Sequence, residues 1–214
     1  QMNSGVSPLG RGDEKRFNMK SRGVEKFAGK ASVRGALAFY KEPARDQNSQ
    51  MNYHSADTLA LSVLVEEIAG APLADVFYEN VYKKFGQDGY MHWTADGDGT
   101  TVSFSDLVMT ARDWGHFGKF LMAEKKAKTC LGSFFNEGVE NAVTTGKKNG
   151  SRYGYQSWVF DVNGKPAMVL QGHGGQFTVL DETTDTVLLV MSLNEDYKAG
   201  NLFNSIHKIA EKLN

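Results

Sequence analysis

The sequence predicts an α+β protein, in which an antiparallel sheet carrying a C-terminal helix is joined to a mainly helical region. Three observations carry that prediction. Apolar residues recur at helical spacing in stretches between residues 55 and 121. From residue 153 they come in short strand-like runs divided by turn residues. Residues 201–214 form an amphipathic stripe suited to lie on a sheet. The expected division is a mainly helical region over 1–150 and the sheet with its helix over 151–214, both parts of one domain.

Residues 1–50 are rich in Gly, Ser, Lys and Arg and read as irregular connection, with one short helix at "VRGALAFYKE". Ser55 is the expected N-cap of the next helix, with Leu59, Val63, Leu64 and Ile68 on its apolar side and Gly70 as its stop. A further helix follows Pro72, with Val76, Phe77, Val81 and Phe85 on one side and Gly86 ending it. "TADGDGTT" is a turn-rich loop. "TARD" at 110–113 reads as a capping box, Thr110 as N-cap and Asp113 reaching back. It opens a helix with Ala111, Trp114, Phe117, Phe120 and Leu121 on its buried face. After the polar "TTGKKNGSR", the runs "YGYQSWVFDV", "KPAMVLQGH", "GQFTVLDE" and "TDTVLLVMSLN" are successive strands. Leu202, Phe203, Ile206, Ile209, Ala210 and Leu213 make the stripe of the last helix.

Composition narrows the function. With 214 residues, 41% hydrophobic content and a net charge of −1, the chain reads as a soluble globular protein able to bury its own core. Its 24 Lys and Arg are interspersed with 25 Asp and Glu, which argues against nucleic acid or anionic lipid as a partner. The single cysteine, Cys130, excludes an internal disulfide and a multi-cysteine metal site without fixing the compartment, so periplasm and cytoplasm both stay open. No apolar run approaches the roughly 20 residues needed to cross a bilayer, and "QMNSGVSPLGRGDEKR" has no hydrophobic signal-peptide core. The chain opens on Gln, which leaves room for an upstream piece.

Few residues look chemical. The histidines, at 54, 92, 116, 173 and 207, form no HExxH or other local metal pair, so neither metal nor cofactor is expected. His92, His116 and His207 read as packed or surface side chains. His173 differs, because "GHGGQ" surrounds it with glycines, which mark close approach of a ligand or backbone, or else a plain tight turn. Tyr53 and Ser55 are equally two-sided, since an aromatic before a capped helix is an ordinary hydrophobic staple. "GDGTT" lacks the Lys of a phosphate loop, and Cys130, without a neighbouring His, reads as inert.

In their order, "NYHSADTLALSVLVEEIAG", "FGQDGYMHW", "MTARDWGHFGKFL", "YGYQSW", "GHGGQF" and "DTVLLVMSLN" resemble the serine β-lactamase and penicillin-binding-protein superfamily, in particular its esterase and 6-aminohexanoate-dimer hydrolase branch. The resemblance spans residues 51–214 and implies the β-lactamase/transpeptidase-like fold, one catalytic domain, and a small-molecule ester or amide as substrate. It places Tyr53 on the Tyr-x-Asn or Tyr-x-Ser motif, as the relay for the nucleophile's proton, and Ser55 on that motif's third place. It places His173, Gly174 and Gly175 on the Lys-Thr-Gly or His-x-Gly motif, expected on an edge strand facing the site, with the backbone N–H near Gln176 as an oxyanion donor. A free tyrosine, with a pKa near about 10, serves as such a base only beside a cation that lowers it. In the superfamily that cation is the lysine of Ser-x-x-Lys.

No Ser-x-x-Lys occurs between Gln1 and Tyr53. The one match, Ser205-Ile-His-Lys208, falls on the C-terminal helix and reads as chance. The expectation is therefore a C-terminal portion of a serine hydrolase whose nucleophile segment lies upstream, by itself without acyl-enzyme chemistry. A non-catalytic ligand- or peptide-binding module and a structural fragment with an open sheet edge are the alternatives. Which ester or amide is taken, and the oligomeric state, stay open.

Overall fold

A computed structural model describes Met2 and residues 32–37, 51–147, 149–194, 196 and 198–212. These residues belong to two compact units, one of Met2–Lys84 with Gly89–Met109, the other of Phe85–Asp88 with Thr110–Asn214.

In the first unit, α1 (Val33–Leu37) realises the core of the short helix expected at "VRGALAFYKE", and the flanking residues lie outside the described ones. Helix α2 (Ser55–Ala69) stops at Gly70, whose left-handed φ of 65° lets its N–H reach the Glu66 carbonyl at 2.9 Å. Its start corrects the sequence reading. His54, not Ser55, is the N-cap, because its extended backbone brings Nδ1 within 3.1 Å of the Ala56 N–H, one residue earlier than the serine. The buried face is corrected too. Ser55, Ala56, Leu59, Ser62 and Glu66 point inward, whereas Leu64 and Ile68 are exposed.

The reason is the Glu66 carboxylate, which ties four segments. It accepts from Arg34 Nη2 at 3.0 Å, from the Leu73 N–H at 3.0 Å and from the Thr101 N–H at 3.3 Å. Arg34 also bonds Glu67, and that bond is the main cause raising its guanidinium pKa above the usual value, with Glu66 adding to it. A buried carboxylate is tolerated only with such partners. Beneath it lie Val33, Ala36, Ala56, Leu59 and Val102.

After Pro72, α3 (Leu73–Phe77), a π-helical turn (Tyr78–Tyr82) and α4 (Lys83–Phe85) run on as one helical rod, interrupted in its hydrogen bonding where the sequence reading had a uniform helix. Strands β1 (Met91–Trp93) and β2 (Leu107–Met109) pair antiparallel. The "TADGDGTT" loop between them is organised by Asp96, which accepts from Val33 N–H at 2.7 Å and Thr100 N–H at 2.8 Å.

In the second unit, Thr110 caps α5 (Ala111–Ala127) by accepting from the Asp113 N–H at 3.1 Å. The Asp113 carboxylate, expected to reach back along its own helix, accepts from the Gln87 N–H at 2.8 Å. Leu121 and Met122 of α5 pack with Met168 and Leu180, joined by Phe117, Phe120, Phe135 and Val187. Ala111, predicted on that face, is exposed. Helix α6 (Cys130–Glu140) was not anticipated. Its glycines weaken a helical signal, yet packing demands them: a Cβ on Gly132 would stand 1.9 Å from the Glu124 carbonyl oxygen, and one on Gly138 2.9 Å from Tyr155 Cβ.

The sheet is antiparallel, in the order β3 (Val143–Thr144), β4 (Arg152–Gly154), β5 (Ser157–Val162), β6 (Lys165–Gly172), β7 (Gln176–Asp181), β8 (Thr186–Val190). Asn163 and Gly164, both at positive φ, make the two-residue turn between β5 and β6. Helix α7 (Ala199–Lys212) buries Ile206 and Ala210 and meets the sheet unit where Leu202 approaches Gly175 and Asn163 bonds the Ala210 carbonyl. Ile209 is half-exposed, and the Phe203 side chain and Leu213 lie outside the described residues.

A Cβ added at Gly115 on α5 would meet nothing within 4 Å, in contrast to Gly132. Gly115→Ala is expected to stabilise by about 0.5–1 kcal/mol, and Gly132→Ala to destabilise by about 3 kcal/mol through overpacking against backbone, both read from urea midpoints.

Candidate active site

Tyr53 stands in the extended segment that enters α2, and the chain on either side of it is tied to Met2. The Asn52 N–H donates to the Met2 carbonyl at 2.8 Å, and the His54 N–H to the Met2 Sδ at 3.4 Å. Met2 is buried with φ of 51°. His54 is buried and spends Nδ1 on the helix cap, while Ser55 is buried as the first helical residue. Tyr53 is 48% exposed. A fixed backbone thus presents a phenol to its surroundings. Sequence reasoning missed both supports of this tyrosine: His54 stood next to the motif without a recognised role, and a lone methionine carries no local signal.

The second group lies in the sheet unit. His173, Gly174 and Gly175 are the turn between β6 and β7, and Gln176 begins β7 opposite Gly172. The sequence reading expected an edge strand; β6 and β7 are instead interior, because β5 and β8 pair outside them. His173 is exposed, whereas Gly174 and Gly175 are buried. Both glycines have φ near the left-handed region's upper range, 85° and 89°. A Cβ on Gly175 would meet Leu202 Cδ2 at 3.0 Å and Ser192 Cβ at 3.3 Å. The Gly174 carbonyl accepts from the Asn194 N–H at 3.1 Å. The segment after β8 therefore backs the turn, a support that the local sequence could not reveal. The Gln176 side chain folds over Gly172, where a Cβ would stand 2.4 Å from its Oε1.

The structure brings Tyr53 and Ser55 together in one unit, and His173, Gly174, Gly175 and Gln176 together in the other. Ser205, on α7, is exposed and donates to the Asn201 carbonyl at 3.2 Å. Cys130 is exposed at the start of α6. Among the described residues no group of three or more His, Cys, Asp or Glu could hold a metal ion. Among them, too, no helix is long and apolar enough to cross a membrane.

The mixture of helices and an antiparallel sheet is the β-lactamase/transpeptidase-like fold, shared by solved structures of the serine β-lactamase and penicillin-binding-protein-like superfamily. A Bacillus anthracis protein assigned as a 6-aminohexanoate-dimer hydrolase superposes with a TM-score of 0.78 at 18% identity, over 98% of this chain and 58% of its own. A penicillin-binding protein from Bacillus halodurans gives a TM-score of 0.66 at 14% identity, over 97% of this chain and 70% of its own. The D-amino acid amidase of Ochrobactrum anthropi SV3, solved with D-phenylalanine, gives 0.68 at 14%, over 99% and 75%. This chain thus spans 58% of the length of the hydrolase. No family model matches the sequence, and no curated protein matches it.

Substitutions at two positions probe the supports. His54→Ala is expected to cost about 1 kcal/mol and His54→Asn to restore most of it, as capping requires. Gly175→Ala is expected to cost about 1–3 kcal/mol from its backbone conformation and its contact with Leu202. Thermal unfolding measures both.

Proposed function

We propose that this chain supplies the proton-relay and oxyanion side of a serine hydrolase of the β-lactamase-related branch, acting on ester or amide bonds, β-lactam amides included, through an acyl-enzyme. The observation that carries the reading is Tyr53, half-exposed on a backbone pinned at both neighbours, in the stretch whose sequence resembles the superfamily's Tyr-x-Ser motif. The shared fold supports it.

In this reading a serine hydroxyl attacks the acyl carbonyl while Tyr53 takes its proton and passes it to the leaving nitrogen or oxygen. Ser55 lies beside the relay as the motif's third residue. The Gln176 N–H donates to the oxyanion of the tetrahedral intermediate, and His173, Gly174 and Gly175 line the site. Water then attacks the acyl-enzyme and the same groups run in reverse. The nucleophile is assigned to a Ser-x-x-Lys segment outside these 214 residues, since the only match, Ser205-Ile-His-Lys208, lies on α7.

A fluorophosphonate probe is expected to leave the 214-residue chain unlabelled, and stoichiometric labelling would overturn the assignment of the nucleophile. In a longer protein that joins this sequence to Ser-x-x-Lys, Tyr53→Phe is expected to lower kcat by about 10²–10⁴-fold with KM little changed. An unaltered kcat would remove Tyr53 from the mechanism.

A further inference from the structure

A cleft of about 350 Å³ lies within the sheet unit, between α5, α6 and the ends of β5 and β7. At its base is the ammonium of Lys125, whose side chain is only 2% exposed. Asn136 Oδ1 accepts from it at 2.7 Å, and the exposed Glu182 carboxylate stands 3.1 Å away as an ion pair. Among the described residues these are its two partners, whereas an ammonium has three N–H donors. A buried donor calls for an acceptor, and the cleft that Lys125 lines is where one can be supplied.

The rest of the lining sets the chemistry of the guest. Val139, Val162 and Ala167 make an apolar wall, and the last two are buried. Two lysines and three carboxylates are among the lining residues, so a purely anionic or purely cationic guest meets like charge. Asp181 is already engaged: it accepts from Asn163 Nδ2 at 2.7 Å, the Thr183 N–H at 2.9 Å and Thr184 Oγ1 at 2.9 Å. The Lys125–Glu182 pair is therefore the polar feature that a guest can answer. A molecule carrying both charges on neighbouring groups lies head to tail along that pair, each charge against its opposite.

We propose that this cleft binds a free α-amino acid with an apolar side chain. Its carboxylate accepts from Lys125, its ammonium donates to Glu182, and its side chain covers Val139, Val162 and Ala167. No bond is made or broken there. Strand β6 runs from this end of the sheet, at Lys165, to Gly172 before the glycine turn. At about 3.4 Å per residue the two places are about 24 Å apart. The cleft is thus separate from the candidate active site, and its ligand is independent of the hydrolase reading.

Titration of the isotope-labelled full chain with L- and D-norleucine, followed by heteronuclear NMR, tests this. Saturable shifts are expected with at least one enantiomer, at the Asn136 side-chain amide and the Val139 and Ala167 N–H groups, with a dissociation constant below about 1 mM. Hexanoate, which lacks the amine, and pentylamine, which lacks the carboxylate, are each expected to bind roughly tenfold or more weakly than norleucine. This comparison needs no variant. Glu182→Gln, at an exposed position, is expected to keep the dispersion of the spectrum and to weaken norleucine roughly tenfold, while hexanoate binds no more weakly than before. Equal affinity for norleucine and either one-charge analogue would overturn the proposal, as would a folded Glu182→Gln chain that binds norleucine unchanged. So would the absence of saturable shifts up to about 1 mM, or shifts centred on residues 173–176, which would move the amino acid to the candidate active site.

Discussion

The pairing of β6 with β7 is the constraint on which the sheet unit depends. Its register sets Met168 against Leu180 and Gly172 against Gln176. The first pair delivers two buried side chains to the face that α5 covers, and the second leaves only His173, Gly174 and Gly175 to reverse the chain. A slip of one residue would turn the apolar set to the opposite face, and it would move the turn off its glycines. Core and candidate site are thus held by one hydrogen-bonded ladder.

Tight approach is the second theme, and glycines allow it. On α5, a Cβ at Gly118 would stand 2.5 Å from Val187 Cγ1, so the helix lies close on β8 because that position is bare. The same helix meets α6 across Gly132, where Lys125 and Asn136 add a reciprocal pair of bonds: the Lys125 ammonium donates to Asn136 Oδ1 at 2.7 Å, and Asn136 Nδ2 to the Lys125 carbonyl at 3.0 Å. Glu182 stands 3.1 Å from that buried ammonium. A charge removed from water needs such compensation. In the other unit Glu66 plays the corresponding part for carboxylate, gathering the ends of α2 and α3 and the Thr101 loop.

The candidate residues of each unit have the same kind of support. Tyr53 is positioned through its neighbours' backbone, and the glycine turn through the chain that follows β8. Neither support comes from the motif itself. A short motif records which side chains chemistry needs, whereas what holds them in place is drawn from wherever the fold brings chain close.

By itself the sequence determined the order and type of the long elements. The helical period of 55–69 and 111–127, the alternation from 153 onward and the stop at Gly70 are local properties, fixed by side-chain spacing and by the one residue that tolerates a left-handed turn. It also singled out Tyr53, Ser55 and the glycines around His173 as unusual. Only tertiary structure decided that His54 caps α2, that Glu66 rather than Ile68 faces inward, that Asp113 serves Gln87, and that α6 forms at all. Each of those outcomes depends on a partner distant in sequence or on an atom a glycine lacks. A buried polar group chooses its face by where its hydrogen bonds are, and that choice is made only once the chain has folded around it.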